Sequence, residues 1–381
     1  MRKKIFGLKF LAVICAFLLL PCLTACTSPG GTGGPTDSLP SLPSPVRPNP
    51  NPTPDPDPDA GGSGGGPEQP PDKGGGTETD PYRIRTEADL YDMYEYESAS
   101  GETHKYYSLE NDIELGDPPE NAICNFIPVK SFHGTFLGNN HFIKNLYIDM
   151  SAPIAGLTDD RRAALFLVVE RGAEISGLRL ENVSVSGSEA AAFACENYGN
   201  ITDCSADGEI LGGNQCGGIA ASNFGRIIRC VNAATVTGTA GYCGGIVGLA
   251  GPGASVSRCA NLGAVRDGGN VSFMGGVAGY DVTGKNAQSG AEFGITDCVS
   301  LGPIETEACP RAGVVTGGTE PFILSSPSHT EDCYYLRSLE TAIVRNAVGV
   351  WKNGGISVYP FEETDLEDIL ASLNLLFVVD R

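Results

Sequence analysis

The chain has 381 residues, a formal net charge of −21, 51 glycines, 26 prolines and a single tryptophan. Lysine and arginine cluster only in the first few residues, so the basic footprint that nucleic-acid phosphates require is missing, and a nucleic-acid partner is excluded. The same acidic balance suits a solvated outer surface and repels anionic headgroups, but it names no ligand.

In chain order, Arg2, Lys3, Lys4 and Lys9 precede an unbroken apolar run over residues 10–20. Charge followed by grease is the layout of an export signal, and the run is too short for a comfortable permanent span. It closes on Leu23-Thr24-Ala25-Cys26, which resembles the lipobox of bacterial lipoproteins. The resemblance implies cleavage after residue 25 and acylation of Cys26. Each buried methylene of an acyl chain contributes about 0.8 kcal/mol, so several chains anchor a protein durably without a spanning helix. Residues 1–25 are therefore expected to be a lipoprotein signal peptide. The expected location is extracytoplasmic, at the bacterial cell membrane and the cell surface.

Residues 26–80 carry the lipid site and a linker of Gly, Pro, Ser, Thr and Asp, including the alternating prolines from Pro48 to Pro58. Such a composition cannot bury enough apolar surface to offset its ordering entropy. We expect a disordered tether. Its proline-rich parts favour polyproline II at roughly 3.1 Å per residue, giving a reach on the order of 100 Å.

Beyond the tether the sequence repeats itself. The segment ending Asn197-Tyr198-Gly199-Asn200-Ile201-Thr202-Asp203-Cys204 aligns with the one ending Asn223-Phe224-Gly225-Arg226-Ile227-Ile228-Arg229-Cys230. Further copies open at Cys243-Gly244-Gly245-Ile246 and Met274-Gly275-Gly276-Val277, and a degenerate one opens at Arg311-Ala312-Gly313-Val314. Their terminal cysteines, Cys204, Cys230, Cys259, Cys298 and Cys333, are 26, 29, 39 and 35 residues apart. A constant core with loops of varying length is how coils stack. Each unit offers three short apolar pieces between Gly and Asn turn signals, and helical periodicity is missing. Three strands cannot bury their own inner face, but a stacked copy can, at roughly 4.8 Å per coil. The fold class is therefore all-β, a parallel β-helix (β-solenoid) with short helical caps. Residues 106–115, 132–143 and 175–185 fit as earlier, more divergent coils.

These elements, followed by Gly-Gly-Ile-Val-Gly-type repeats, resemble bacterial surface proteins with GLUG-type repeats, over residues 81–336. The resemblance implies a right-handed β-helix and an adhesin-like setting, and no catalysis. Residues 337–381 are expected to form a C-terminal cap, with a short helix over residues 364–373. At the other end, Thr86-Glu87-Ala88-Asp89 reads as a capping-box start before an amphipathic turn.

The repeat cysteines are read as an inward ladder of buried thiols. Disulfides remain the alternative in an exported protein, although parallel side chains hold their Cβ atoms farther apart than the roughly 3.8 Å a bridge prefers. No paired Cys-x-x-Cys spacing suggests a metal, and no cofactor is expected. Asp203 and Asp297 occupy equivalent places, with Arg229 and Arg258 in the coils between. About 14 Å would separate the two acids, beyond either glycosidase spacing, so they read as charges on a solvent face. His104, His133, His141 and His329 are scattered without a nucleophile pattern. No catalytic residue is assigned, and the chain is read as a non-enzyme. The expected partners are the membrane, through Cys26, and a host, matrix or glycan ligand. A purely structural envelope protein is the alternative, and a carbohydrate-active β-helix enzyme a third reading. Residues 281–293 and 308–331 are the longest insertions and the places where ligand contacts are expected.

Overall fold

The computed structural model describes residues 73–99, 103–118, 122–151, 161–284, 293–319, 330–339 and 356–372. The expected signal peptide, Cys26 and nearly all of the linker lie outside the described residues.

The described chain winds as a β-solenoid whose strands pair almost entirely in parallel, in one 23-stranded and one 6-stranded sheet. One column begins with Tyr82–Ile84 on Tyr106–Leu109 and continues through Thr135–Leu137, Glu174–Ser176, Asn200–Thr202 and Arg226–Ile228. It then runs through Ser255–Ser257, Gly294–Thr296 and Thr330–Leu336 to Ile356–Phe361. The middle residue of each short strand points inward. Tyr107, Phe136, Ile175, Ile201, Ile227, Val256 and Ile295 stack in register and are fully buried. Flanking residues such as Glu174 and Ser176 face out. A single apolar residue between two polar ones is the shortest form of strand alternation.

Longer strands form the second wall: Arg179–Ala191, Ser205–Gly217, Thr235–Gly244 and Val265–Gly275. Val185, Ile210, Val236, Val265 and Ile304 make its inner row. The third wall is the six-stranded sheet from Phe166–Val169 through Ala194–Asn197, Ala220–Asn223, Val247–Ala250 and Ala278–Asp281 to Thr316–Thr319.

Between the first two walls the chain turns on a residue with positive φ: Gly177, Asp203, Arg229, Arg258, Asp297 and Asp332, at 50° to 62°. A left-handed residue followed by a small inward one makes a tight corner. The inward residue is Leu178 after Gly177 and a cysteine after the other five, Cys204, Cys230, Cys259, Cys298 or Cys333, each buried. All ten described cysteines are unbridged. The ladder thiols donate to backbone carbonyls instead, as Cys230 Sγ does to Ile201 O at 3.5 Å. Burial pushes the Cys204, Cys230, Cys259 and Cys298 thiols well above the ordinary cysteine range.

Two columns of buried polar side chains lie near the other corners. Asn197 Nδ2 donates to Asn223 Oδ1, and Asn232 Nδ2 to Asn261 Oδ1, both at 2.8 Å. Each of these amides also answers backbone groups of its turn.

The N-terminal end is covered by α1, Glu87–Ala99. Thr86 Oγ1 accepts from the Asp89 amide at 3.3 Å, and Asp89 Oδ2 accepts from the Thr86 amide at 3.1 Å, which is the reciprocal cap the sequence suggests. Leu90, Met93 and Glu97 of α1 are buried, and Tyr107 Oη donates to Glu97 Oε1 at 2.6 Å. At the other end, a 3-10 turn over Glu363–Asp365 leads into α2, Leu366–Ser372. The strand Ile356–Phe361 lies within residues 337–381 and adds one more parallel rung.

A mixed aromatic and polar strip on the outer face

Successive Gly-Gly pairs turn the second wall into the third. A Cβ on Gly245 would lie 2.2 Å from both Asn261 Cγ and Gly276 O, so the chain fits there only without a side chain. The bend is tight enough that outward side chains on its two sides touch. The last outward residue of each long strand gives one row: Arg162, Glu189, Gln215, Tyr242 and Phe273 in register. Arg311 follows in the next coil. The third wall supplies a facing row of Val168, Glu196, Ser222, Leu249, Tyr280 and Gly318.

Contacts across the bend join the rows. Arg162 Nη1 donates to Glu196 Oε1 at 3.0 Å, and Ser222 Oγ donates to the Gln215 side-chain oxygen. Further along, Tyr242 stacks on Tyr280 at 5.1 Å between ring centroids, and Phe273 lies 4.4 Å from Tyr280. The Arg311 guanidinium sits 4.6 Å over the Phe273 ring, a cation–π contact that flattens it against the aromatic surface. Tyr242 and Leu249 are half-buried, whereas Phe273 and Tyr280 are each 8% exposed. Tyr242 is thus the open ring, held by two rings beneath and beside it.

The strip changes character along the stacking direction, from an ion pair to an amide and hydroxyl to a half-open aromatic surface. Its charges are balanced locally. Glu196 is held by Arg162 on one oxygen and by Tyr198 Oη, at 2.8 Å, on the other. A carboxylate so committed is a poor candidate for proton transfer.

The other residues singled out in the sequence fall elsewhere. Asp203 and Arg229 face solvent in neighbouring coils, and the guanidinium binds the carboxylate through Nε at 2.6 Å and Nη2 at 2.5 Å. His141 Nδ1 lies 3.0 Å from Asp112, and His104 Nε2 lies 3.0 Å from Thr135 Oγ1. His329 is outside the described residues. Among the described residues no three His, Cys, Asp or Glu side chains converge as metal ligands would.

The insertion expected from residue 281 needs correcting. Asp281 and Thr283 are buried, and Asp281 holds the Thr283 amide at 3.0 Å and Thr330 Oγ1 at 2.9 Å. They are core, because Asp281 occupies the inward register of Asn197 and Asn223. Ala312–Gly313 and Thr316–Thr319, within the second expected insertion, are strands of a coil. Residues 285–292 and 320–329 are outside the described residues.

No family model matches the sequence. The chain is 28% identical over 154 residues to Halomucin of Haloquadratum walsbyi, a match that takes in 38% of this chain and 2% of that protein. A solved structure from Bacteroides ovatus, described as a candidate immunoglobulin A1 protease, is similar with a TM-score of 0.58. It is 18% identical, and the similarity covers 78% of this chain and 88% of that one. At that identity the likeness is one of fold.

Proposed function

We propose that this is a bacterial surface lipoprotein of the GLUG-repeat type, held to the membrane through acylated Cys26 and presenting the solenoid to a host, matrix or glycan ligand that it binds without catalysis. The observation that carries the binding half is the strip, where a half-open aromatic surface adjoins hydrogen-bonding side chains along several consecutive coils. The anchoring half rests on the charged, apolar, then Leu23-Thr24-Ala25-Cys26 order of the N-terminus. None of the described helices is long and apolar enough to cross a membrane. The Glu196 carboxylate, engaged with Arg162 and Tyr198, supports binding rather than bond cleavage at this face.

Metabolic labelling with an alkyne fatty acid tests the anchor. The wild-type chain takes up label and sediments with membranes, whereas Cys26→Ala takes up none and appears in the soluble fraction. Label retained by the variant would overturn the anchor. A glycan and matrix-protein array probed with the purified full chain tests the binding. Silence across both would favour the alternative, a structural envelope component.

A further inference from the structure

We infer that the strip is a binding groove for a neutral glycan chain lying along the stacking axis, with about one sugar unit against each coil. The inference rests on the reading of this protein as a ligand-binding surface solenoid, and it names the ligand class and its direction.

Three observations lead to it. First, the two rows repeat with the coil, about 4.8 Å, close to the advance of one pyranose in an extended chain, so a linear glycan meets equivalent positions in successive coils. Second, the residues suit a sugar rather than a peptide strand. A pyranose offers an apolar C–H face and a rim of hydroxyls. Tyr242, half-buried and packed on Tyr280, offers a ring surface, and one coil away the half-buried Gln215 amide is braced by a hydrogen bond from the buried Ser222 hydroxyl. Planar amides and hydroxyls satisfy ring hydroxyls in the same way that such groups orient ligands in other concave sites. A peptide added by strand pairing would need an open sheet edge. The strip is instead formed by outward side chains of strands already paired on both sides, as Ala220–Asn223 and Val247–Ala250 are. Third, the charges point to a neutral chain. Arg162 is matched by Glu196, and Arg311 is spread over Phe273, so neither guanidinium is presented for a uronate or sialate, and the net charge of −21 opposes an anionic polymer.

The test is calorimetry on the purified full chain with neutral oligosaccharides of two to eight units: β-1,4-linked glucose, xylose, mannose and N-acetylglucosamine. The expected result is affinity for at least one series that climbs with length and levels off at about six units, the number of coils the strip crosses. Tyr242→Ala and Gln215→Ala should each weaken binding at least tenfold. Tyr242→Phe, which keeps the ring, should stay within about threefold of wild type, and Leu211→Ser, on another part of the outer surface, should change nothing. Equal melting temperatures for all four variants would show that binding rather than folding is read.

Several results would overturn the inference: no binding of any neutral series, affinity independent of length, preference for acidic glycans, or binding untouched by Tyr242→Ala and Gln215→Ala. Matrix-protein binding on the array together with no neutral-glycan binding would sink the glycan and leave the surface-binding reading standing. Silence on both would remove the binding reading itself.

Discussion

Asp281 stands in the buried column where the coils two and three turns earlier place Asn223 and Asn197. An amide there is neutral, but a carboxyl must either shed its charge or keep it without water. Desolvation therefore lifts its pKa to about 6, against the pull of hydrogen bonds from Thr283 and Thr330. Because the folded value lies above the unfolded one, the protonated form is the one the fold favours. The associated stability is fully present below the unfolded carboxyl range near pH 4 and is lost as the pH rises through about 6, roughly 2 to 3 kcal/mol in all. Asp281→Asn should remove that loss. We expect urea midpoints of the wild type to fall between pH 4.5 and 7.5, those of the variant to change little, and the variant to be the more stable at pH 7.5. A second consequence at this scale concerns the thiols. Thiolate is the reactive form, and burial holds Cys204, Cys230, Cys259 and Cys298 protonated. An aromatic disulfide reagent should leave them untouched in the native protein and titrate them on adding guanidinium. Prompt native reaction would show that the ladder is open.

At the scale of elements, the Gly-Gly corners set the strip. Gly245→Ala would drive a methyl into Asn261 and the Gly276 carbonyl, and one of these is backbone that cannot move aside. We expect a loss of 3 kcal/mol or more, the range of severe core disruption, measurable as a large fall in melting temperature. These corners were legible in the sequence, because a Gly-Gly pair recurs in three successive copies, at Gly217-Gly218, Gly244-Gly245 and Gly275-Gly276. The ladder cysteines were legible for the same reason. The strip was not. Tyr242 and Phe273 look like core residues when met singly, and only the two-residue strand period counted back from the Gly-Gly corner turns them outward. Aligning the copies on that corner would have found the row Gln215, Tyr242, Phe273 and Arg311. Asp281 was missed from the other direction. An acid followed by Val282, Thr283 and Gly284 reads as the start of a surface loop, and its buried register shows only once strands are paired.

Across the whole molecule, each coil is buried by its neighbours, so the ends decide whether the solenoid stays single. Its first strand, Tyr82–Ile84, pairs with Tyr106–Leu109 on one side, and α1 packs Leu90 and Met93 onto the core beside it. Removing that cover leaves a strand edge that can template another chain. Leu90→Asp combined with Met93→Asp should therefore turn a discrete species into growing oligomers, followed by light scattering, while circular dichroism still shows mainly strand. A variant that unfolds without associating would mean that α1 supports the first coil rather than shielding it.

The in-register parallel pairing also gives the molecule a direction of strength. Covalent backbone runs around the solenoid, while the hydrogen bonds between strands such as Asn200–Thr202 and Arg226–Ile228 run along it. Tension along the axis is thus borne by hydrogen bonds and side-chain stacking rather than by covalent bonds, with all the pairs of one coil boundary sharing the load and successive boundaries carrying it in series. Such a body yields at its weakest boundary and lengthens by one coil of backbone at each failure. Under the proposed function, which pulls it between a cell and a ligand, the solenoid would act as a ratcheted shock absorber whose step is set by the number of residues in a turn.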